Sequence, residues 1–143
     1  MGIIGKILKL SHTDYLYLLE AIFTSGVVRF VILFVPMKKF ASYLGKRTNC
    51  KTENDLSLPL KALKIKNALI RASRVVPWRF MCYEQAFTGK IMLRRRNIKT
   101  KLYFGVRKDG ADSITAHAWL EAGSRIVTGA FGHQSYQVIA VFE

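Results

Sequence analysis

The 143-residue chain predicts an α+β fold in a single domain-sized unit. Three observations carry that expectation. Apolar residues recur at helical spacing through most of residues 1–96, and short β-branched and aromatic runs bounded by turn residues fill the rest. Half the residues are hydrophobic and 12% are aromatic, a composition that packs a core and argues against disorder.

Taken in order, Ser11-His12-Thr13-Asp14 supplies helix-capping residues ahead of Tyr15, Leu16, Leu18 and Leu19. Residues 21–37, AIFTSGVVRFVILFVPM, are nearly all apolar, yet this 17-residue stretch is at the lower limit for a bilayer span and carries Gly26, Arg29 and Pro36. A buried or membrane-surface helix is favoured over a true span. The stretch starts too late for an ordinary signal peptide, and Lys6 stands where a myristoylation site at Gly2 would want Ser or Thr. MKKFASYLG then reads as a short amphipathic helix with Met37, Phe40 and Leu44 inward and Gly45 at its end.

Residues 1–45 thus form an N-terminal helical region, and the polar stretch KRTNCKTENDLS, residues 46–57, reads as a linker to a core at 58–143. Leu60, Leu63, Ala68, Leu69 and Ala72 predict a helix that Pro77 stops, and a further helix is expected from Met81 to Arg96 despite Gly89. KTKLYFGV, DSITAHAWLEA, RIVTGAF and YQVIAVFE follow as four strands separated by short turns. An antiparallel meander is expected.

The formal net charge is +14, and between Pro59 and Lys101 twelve Lys or Arg face one acid, Glu84. Such a surface attracts anionic lipid, acidic peptide or nucleic acid, although no nucleic-acid-binding signature accompanies the charge. Cys50 and Cys82 form neither a disulfide framework nor a metal spacing, so both are read as reduced thiols in a cytoplasmic protein. Residues 21–37 leave membrane association open.

Cys82 falls at the first turn of its expected helix. There the free N–H groups and the positive dipole end favour a thiolate, Arg79 adds positive charge, and the same N–H groups suit an oxyanion. Taken alone, a lone Cys among aromatics is more often a packed small hydrophobe. His117 lies in a strand, on the same face as Trp119, where its ring could meet a helix start packed on the sheet. A Cys and a His together are the minimum for thiol activation.

The motifs P-W-R-x-x-C-x-x-Q-A (Pro77 to Ala86), L-R-R-R-x-I (Leu93 to Ile98), F-G-V, A-H-A-W-L-E (Ala116 to Glu121) and I-V-T-G (Ile126 to Gly129) resemble the leader peptidases of lasso peptide biosynthesis, a branch of the transglutaminase-like superfamily. The resemblance implies a transglutaminase- or papain-like fold with the Cys-bearing helix packed on an antiparallel sheet. It implies Cys82 as nucleophile and backbone oxyanion donor, His117 as general base and acid, and a third residue that orients the imidazole. Relatives often carry an Asp about a dozen residues past the His, where this chain has Thr128-Gly129. Thr128, a backbone carbonyl at that place, and Asp112 are the candidates, or the enzyme works as a dyad. Trp78, Arg79, Gln85 and Trp119 are candidate substrate contacts, the two tryptophans having core packing as the plainer reading. No metal is implied and no cofactor in this chain, although a coupled ATP dependence is compatible with the family. Implied partners are the precursor peptide, a separate winged-helix leader-recognition protein and an asparagine-synthetase-like lasso cyclase. Two other readings stand beside this one: a peptide-binding scaffold with a degenerate triad, and a basic membrane-surface or nucleic-acid-binding protein.

Overall fold

The computed structural model describes residues 2, 5, 9–47 and 59–143. Most of the expected linker, Cys50 within it, and Lys6 lie outside the described residues. Among the described residues four helices precede a four-stranded antiparallel sheet, so the expected α+β class holds. The helices are α1 (His12–Phe34), α2 (Met37–Tyr43), α3 (Leu60–Ala72) and α4 (Cys82–Arg94). The strands are β1 (Lys101–Lys108), β2 (Ile114–Ala122), β3 (Arg125–Thr128) and β4 (Gln137–Phe142), with a 3-10 turn at His133–Ser135.

Local chemistry sets the helix boundaries. The Ser11 hydroxyl accepts the Asp14 N–H at 3.2 Å and so satisfies a donor that the first turn of α1 leaves free. At the other end Val35 turns extended before Pro36, which cannot continue the helix. α3 begins directly after Pro59 and turns Ala62, Ile65, Ala68, Leu69 and Ala72 into the core.

One core joins the helices to the sheet: Leu18, Ala21 and Val28 of α1 are buried in the same cluster as Phe87 and Leu93 of α4 and Leu102 and Leu120 of the sheet. Gly89 explains how α4 sits so close to β2. A Cβ at that position would lie 2.9 Å from Leu120 Cδ2 and 3.1 Å from Leu69 Cδ1, so a side chain there would push the helix off the sheet. Gly45 serves a similar purpose at φ 113°, where a Cβ would overlap the Glu143 carbonyl oxygen. That contact lets Lys46 and Glu143 exchange backbone hydrogen bonds at 3.1 Å each way.

The sheet is not the expected meander. β1, β2 and β3 do follow one another as hairpins, but β4 pairs with β1, giving the order β3-β2-β1-β4. The chain leaves β3 at Gly129, whose φ of 74° is a left-handed conformation that also presses its Cα against Ala118 and Trp119. Residues 129–136 then cross one face of the sheet. His133 packs on the Trp119 ring at 5.6 Å, and a Cβ on Gly105 would come within 2.8 Å of Tyr136 Cβ. Arg107 fixes the end of this crossing by donating to the Ser135 hydroxyl at 2.9 Å and lying 4.8 Å over the Tyr136 ring.

Strand alternation gives the sheet two distinct faces. Leu102, Phe104, Ala118 and Leu120 pack toward the helices, whereas Tyr103, Gly105, His117 and Trp119 lie on the crossed face. On that face Tyr103 and Trp119 stack with their centroids 5.3 Å apart and their planes nearly parallel.

Candidate functional site

Cys82 is the first residue of α4 and is half-buried as a free thiol. The segment that leads into it is fastened to α1 at two points. The Trp78 indole N–H donates to the Ser25 hydroxyl at 3.2 Å and its ring rests over Gly26. Arg29 donates to the Glu84 carboxylate at 3.1 Å, and the same carboxylate accepts the Met81 N–H at 3.1 Å. Glu84 is only 4% exposed, so its charge is desolvated and the guanidinium of Arg29 offsets that cost.

This pair explains the one charge inside the apolar N-terminal stretch. Arg29 is there to hold the start of the cysteine-bearing helix. Arg79, expected to add positive charge near Cys82, lies with its Nε 4.0 Å from Glu84 and its side chain largely in solvent. Gln85 donates to the Phe80 carbonyl at 2.9 Å and so braces the approach to Cys82 from the other side.

His117 has one defined partner, the Gly129 carbonyl oxygen 2.9 Å from Nε2. A carbonyl oxygen only accepts, so Nε2 carries the hydrogen and Nδ1 is the ring nitrogen left to exchange a proton. Of the three candidates for orienting the imidazole, the backbone carbonyl at Thr128-Gly129 is the one that the ring meets. Thr128 pairs with Leu120 rather than lying opposite His117, and its methyl faces Gly89 of α4. Its hydroxyl is buried with no hydrogen-bond partner among the described residues. Asp112 is exposed in the turn between β1 and β2.

Aromatic rings link the surroundings of Cys82 to those of His117. Tyr83 stacks on Phe104 at 5.8 Å, and Tyr136 lies 5.0 Å from the imidazole. Burial pushes the Tyr83 phenol above its usual range, with Cys82 and Tyr136 adding to that shift. The β2 side chains that pack on α4 are Ala118 and Leu120, so His117 lies on the other face of the strand from the cysteine-bearing helix, and it makes no hydrogen bond to Cys82 among the described residues.

Of the candidate substrate contacts, Trp119 is only 3% exposed and is held between Tyr103 and His133, which leaves no surface for a substrate. Trp78 is half-buried but faces a groove on α1. Residues whose part in the site sequence reasoning missed are Arg29, Glu84 and Tyr136. A carboxylate three residues into a helix is a capping signal that could have flagged Glu84. The Arg94-Arg95-Arg96 run proves to be a clamp: Arg96 meets Glu20 of α1 at 2.5 Å and lies 4.5 Å over Tyr17, while Arg95 meets Glu20 at 3.2 Å. Among the described residues no group of three or more His, Cys, Asp or Glu is placed to hold a metal ion.

A helix that opens on a cysteine and packs on an antiparallel sheet bearing an oriented histidine defines the α+β architecture. A family model for the transglutaminase-like superfamily matches residues 27–141, and the chain belongs to that superfamily, which includes cysteine peptidases. No curated protein and no solved structure matches the chain.

Proposed function

We propose that the protein is a cysteine peptidase that removes the leader from a ribosomally made lasso precursor before the macrolactam ring closes. The observation that carries this reading is the hydrogen bond from His117 to the Gly129 carbonyl, which orients the ring and leaves Nδ1 as the nitrogen open to proton transfer, in a superfamily that includes cysteine peptidases. In the proposed reaction Cys82 and His117, which make no hydrogen bond among the described residues, come together as substrate binds; Nδ1 then takes the Cys82 proton and the thiolate attacks the carbonyl carbon of the scissile bond. The free N–H groups at the start of α4 hold the resulting oxyanion. Collapse of that intermediate breaks the C–N bond, and His117 returns its proton to the leaving amine. Water then enters with His117 as base and releases the thioester as a carboxylate.

The basic surface suits an acidic leader, recognised together with a separate winged-helix protein and followed by an asparagine-synthetase-like cyclase. The chain needs no cofactor for this chemistry. ATP dependence, if measured, would then belong to the coupled partner. The second reading is a scaffold of the same fold that binds peptide without cleaving it, and one observation favours it: the absence of a Cys82–His117 hydrogen bond among the described residues. Incubating the protein with a precursor peptide and its recognition partner, then weighing the products, separates the two. Cleavage lost in both Cys82→Ala and His117→Ala supports the peptidase, and cleavage by either variant at the wild-type rate overturns it.

A further inference from the structure

α1 has a face that the other described residues leave uncovered. From Tyr15 to Phe34 every exposed residue of the helix is Tyr, Leu, Phe or Val, with Phe23, Phe30 and Phe34 at 74%, 62% and 69% exposure. At 3.6 residues per turn these positions fall within an arc roughly 120° wide and run about 30 Å along the axis. Beside them a groove of about 680 Å³ opens between α1 and the Trp78 ring, with Gly26 as its floor and Leu19, Ile22 and Phe30 on its walls. Among the described residues its lining is aliphatic or aromatic, and the one polar group on those side chains, the Trp78 indole N–H, is taken up by Ser25.

Cations border this face. Lys38 and Lys39 are exposed just beyond its C-terminal end, and neither enters an ion pair among the described residues. A second hollow along the flank of α1, between Val31, Val35 and Phe40, is rimmed by Lys39, Arg94 and Arg95. Lys9 is exposed before the N-terminal end. An unbroken apolar stripe edged by Lys and Arg has the two halves of an interfacial helix, which sinks its apolar side to the acyl boundary and leaves its cations at the headgroups. A transient protein interface differs, since it carries polar groups at its rim and direct hydrogen bonds across the contact.

α1 is long and apolar enough to cross a bilayer, but its other side is spent inside the protein. Leu18, Ala21, Ser25 and Val28 are buried, and Arg29 holds Glu84. Crossing would strip that carboxylate of its partner. We infer that α1 binds the surface of an anionic membrane, lying in the interface plane with Phe23, Phe30 and Phe34 in the acyl region and the Lys38-Lys39 end at the phosphates. Docking in this way fixes the protein through the same helix that braces the segment leading to Cys82.

The test is vesicle flotation of the full chain with phosphatidylcholine alone and with phosphatidylcholine containing phosphatidylglycerol, read together with tryptophan emission. Trp119 is sealed in the aromatic stack, so a blue shift reports Trp78 in the groove. The expected result is flotation with the anionic vesicles, a blue shift, at least tenfold weaker binding by Phe23→Asp/Phe30→Asp and several-fold weaker binding by Lys38→Glu/Lys39→Glu. Both double variants change exposed side chains, and unchanged thermal unfolding verifies their fold. No flotation with anionic vesicles overturns the inference. So does equal binding by Phe23→Asp/Phe30→Asp, which would mean adsorption by charge alone. A dimer in light scattering that the same variant converts to monomer, without vesicle binding, would instead assign the face to a second copy of the chain.

Discussion

Replacing Glu84 with Gln isolates what the Arg29–Glu84 pair does for the start of α4. Gln keeps an acceptor for the Met81 N–H but removes the charge that meets Arg29 at 3.1 Å. Glu84 is 4% exposed and the Arg29 side chain is 27% exposed, so the variant leaves a half-buried guanidinium without its partner. Breaking a fully buried pair costs about 3–5 kcal/mol, and partial hydration of Arg29 reduces the expectation to about 2 kcal/mol. Arg29→Met should cost more, about 3 kcal/mol, because it strands the more deeply buried charge. The double variant should fall short of the sum by about 2 kcal/mol, since once one charge is gone the other has less to lose. Urea unfolding of the four proteins closes the cycle. Additive losses, with a coupling below about 0.5 kcal/mol, would refute the claim that this pair holds α1 to the cysteine-bearing helix.

Other outcomes follow from the same geometry. Gly129→Ala should lose about 2–3 kcal/mol in thermal or urea unfolding, because φ is 74° and a Cβ would lie 2.4 Å from the Ala118 carbonyl oxygen; it should also displace the carbonyl that orients His117. Lys90 is buried in α4, where it donates to the Thr100 hydroxyl, and burial, reinforced by Arg94, lowers its pKa from 10.5 to about 8. The unfolded chain therefore binds more protons between pH 8 and 10.5, so wild-type stability should rise with pH across that window relative to Lys90→Met. A gain of about 1–2 kcal/mol in paired unfolding curves is expected after discounting for residual hydration, and a difference that does not change with pH would contradict it.

The helices are legible because their signals are local: Ser11 caps, Pro36 terminates α1, and Leu60 to Ala72 keep a helical period, although α3 ends at Ala72, ahead of the expected stop at Pro77. The strands were legible for the same reason, but their order was not. Nothing in the run YQVIAVFE says that it joins β1; that choice is made by the left-handed turn at Gly129 and by Tyr136 settling against Gly105, contacts far apart in sequence. The place of the His117 partner is legible, since a backbone carbonyl at Thr128-Gly129 is among the candidates, but the choice between it and the Thr128 hydroxyl is not, because a carbonyl has no letter of its own. Arg29 was visible only as an interruption of an apolar stretch. Its meaning required Glu84, 55 residues away. Trp119 illustrates the limit of reading faces from alternation: the period placed it correctly beside His117, but burial by the crossing segment 129–136 could not be read from a two-residue repeat.

The most direct measurement is the rate at which the purified protein, with a leader-recognition partner and a precursor peptide, releases the leader, compared between wild type, Cys82→Ala and His117→Ala by mass spectrometry. The account predicts release by wild type and loss of at least a thousandfold in both variants, with unfolding midpoints near the wild-type value. Wild-type release that survives the loss of the Cys82 thiol or the His117 imidazole would contradict it.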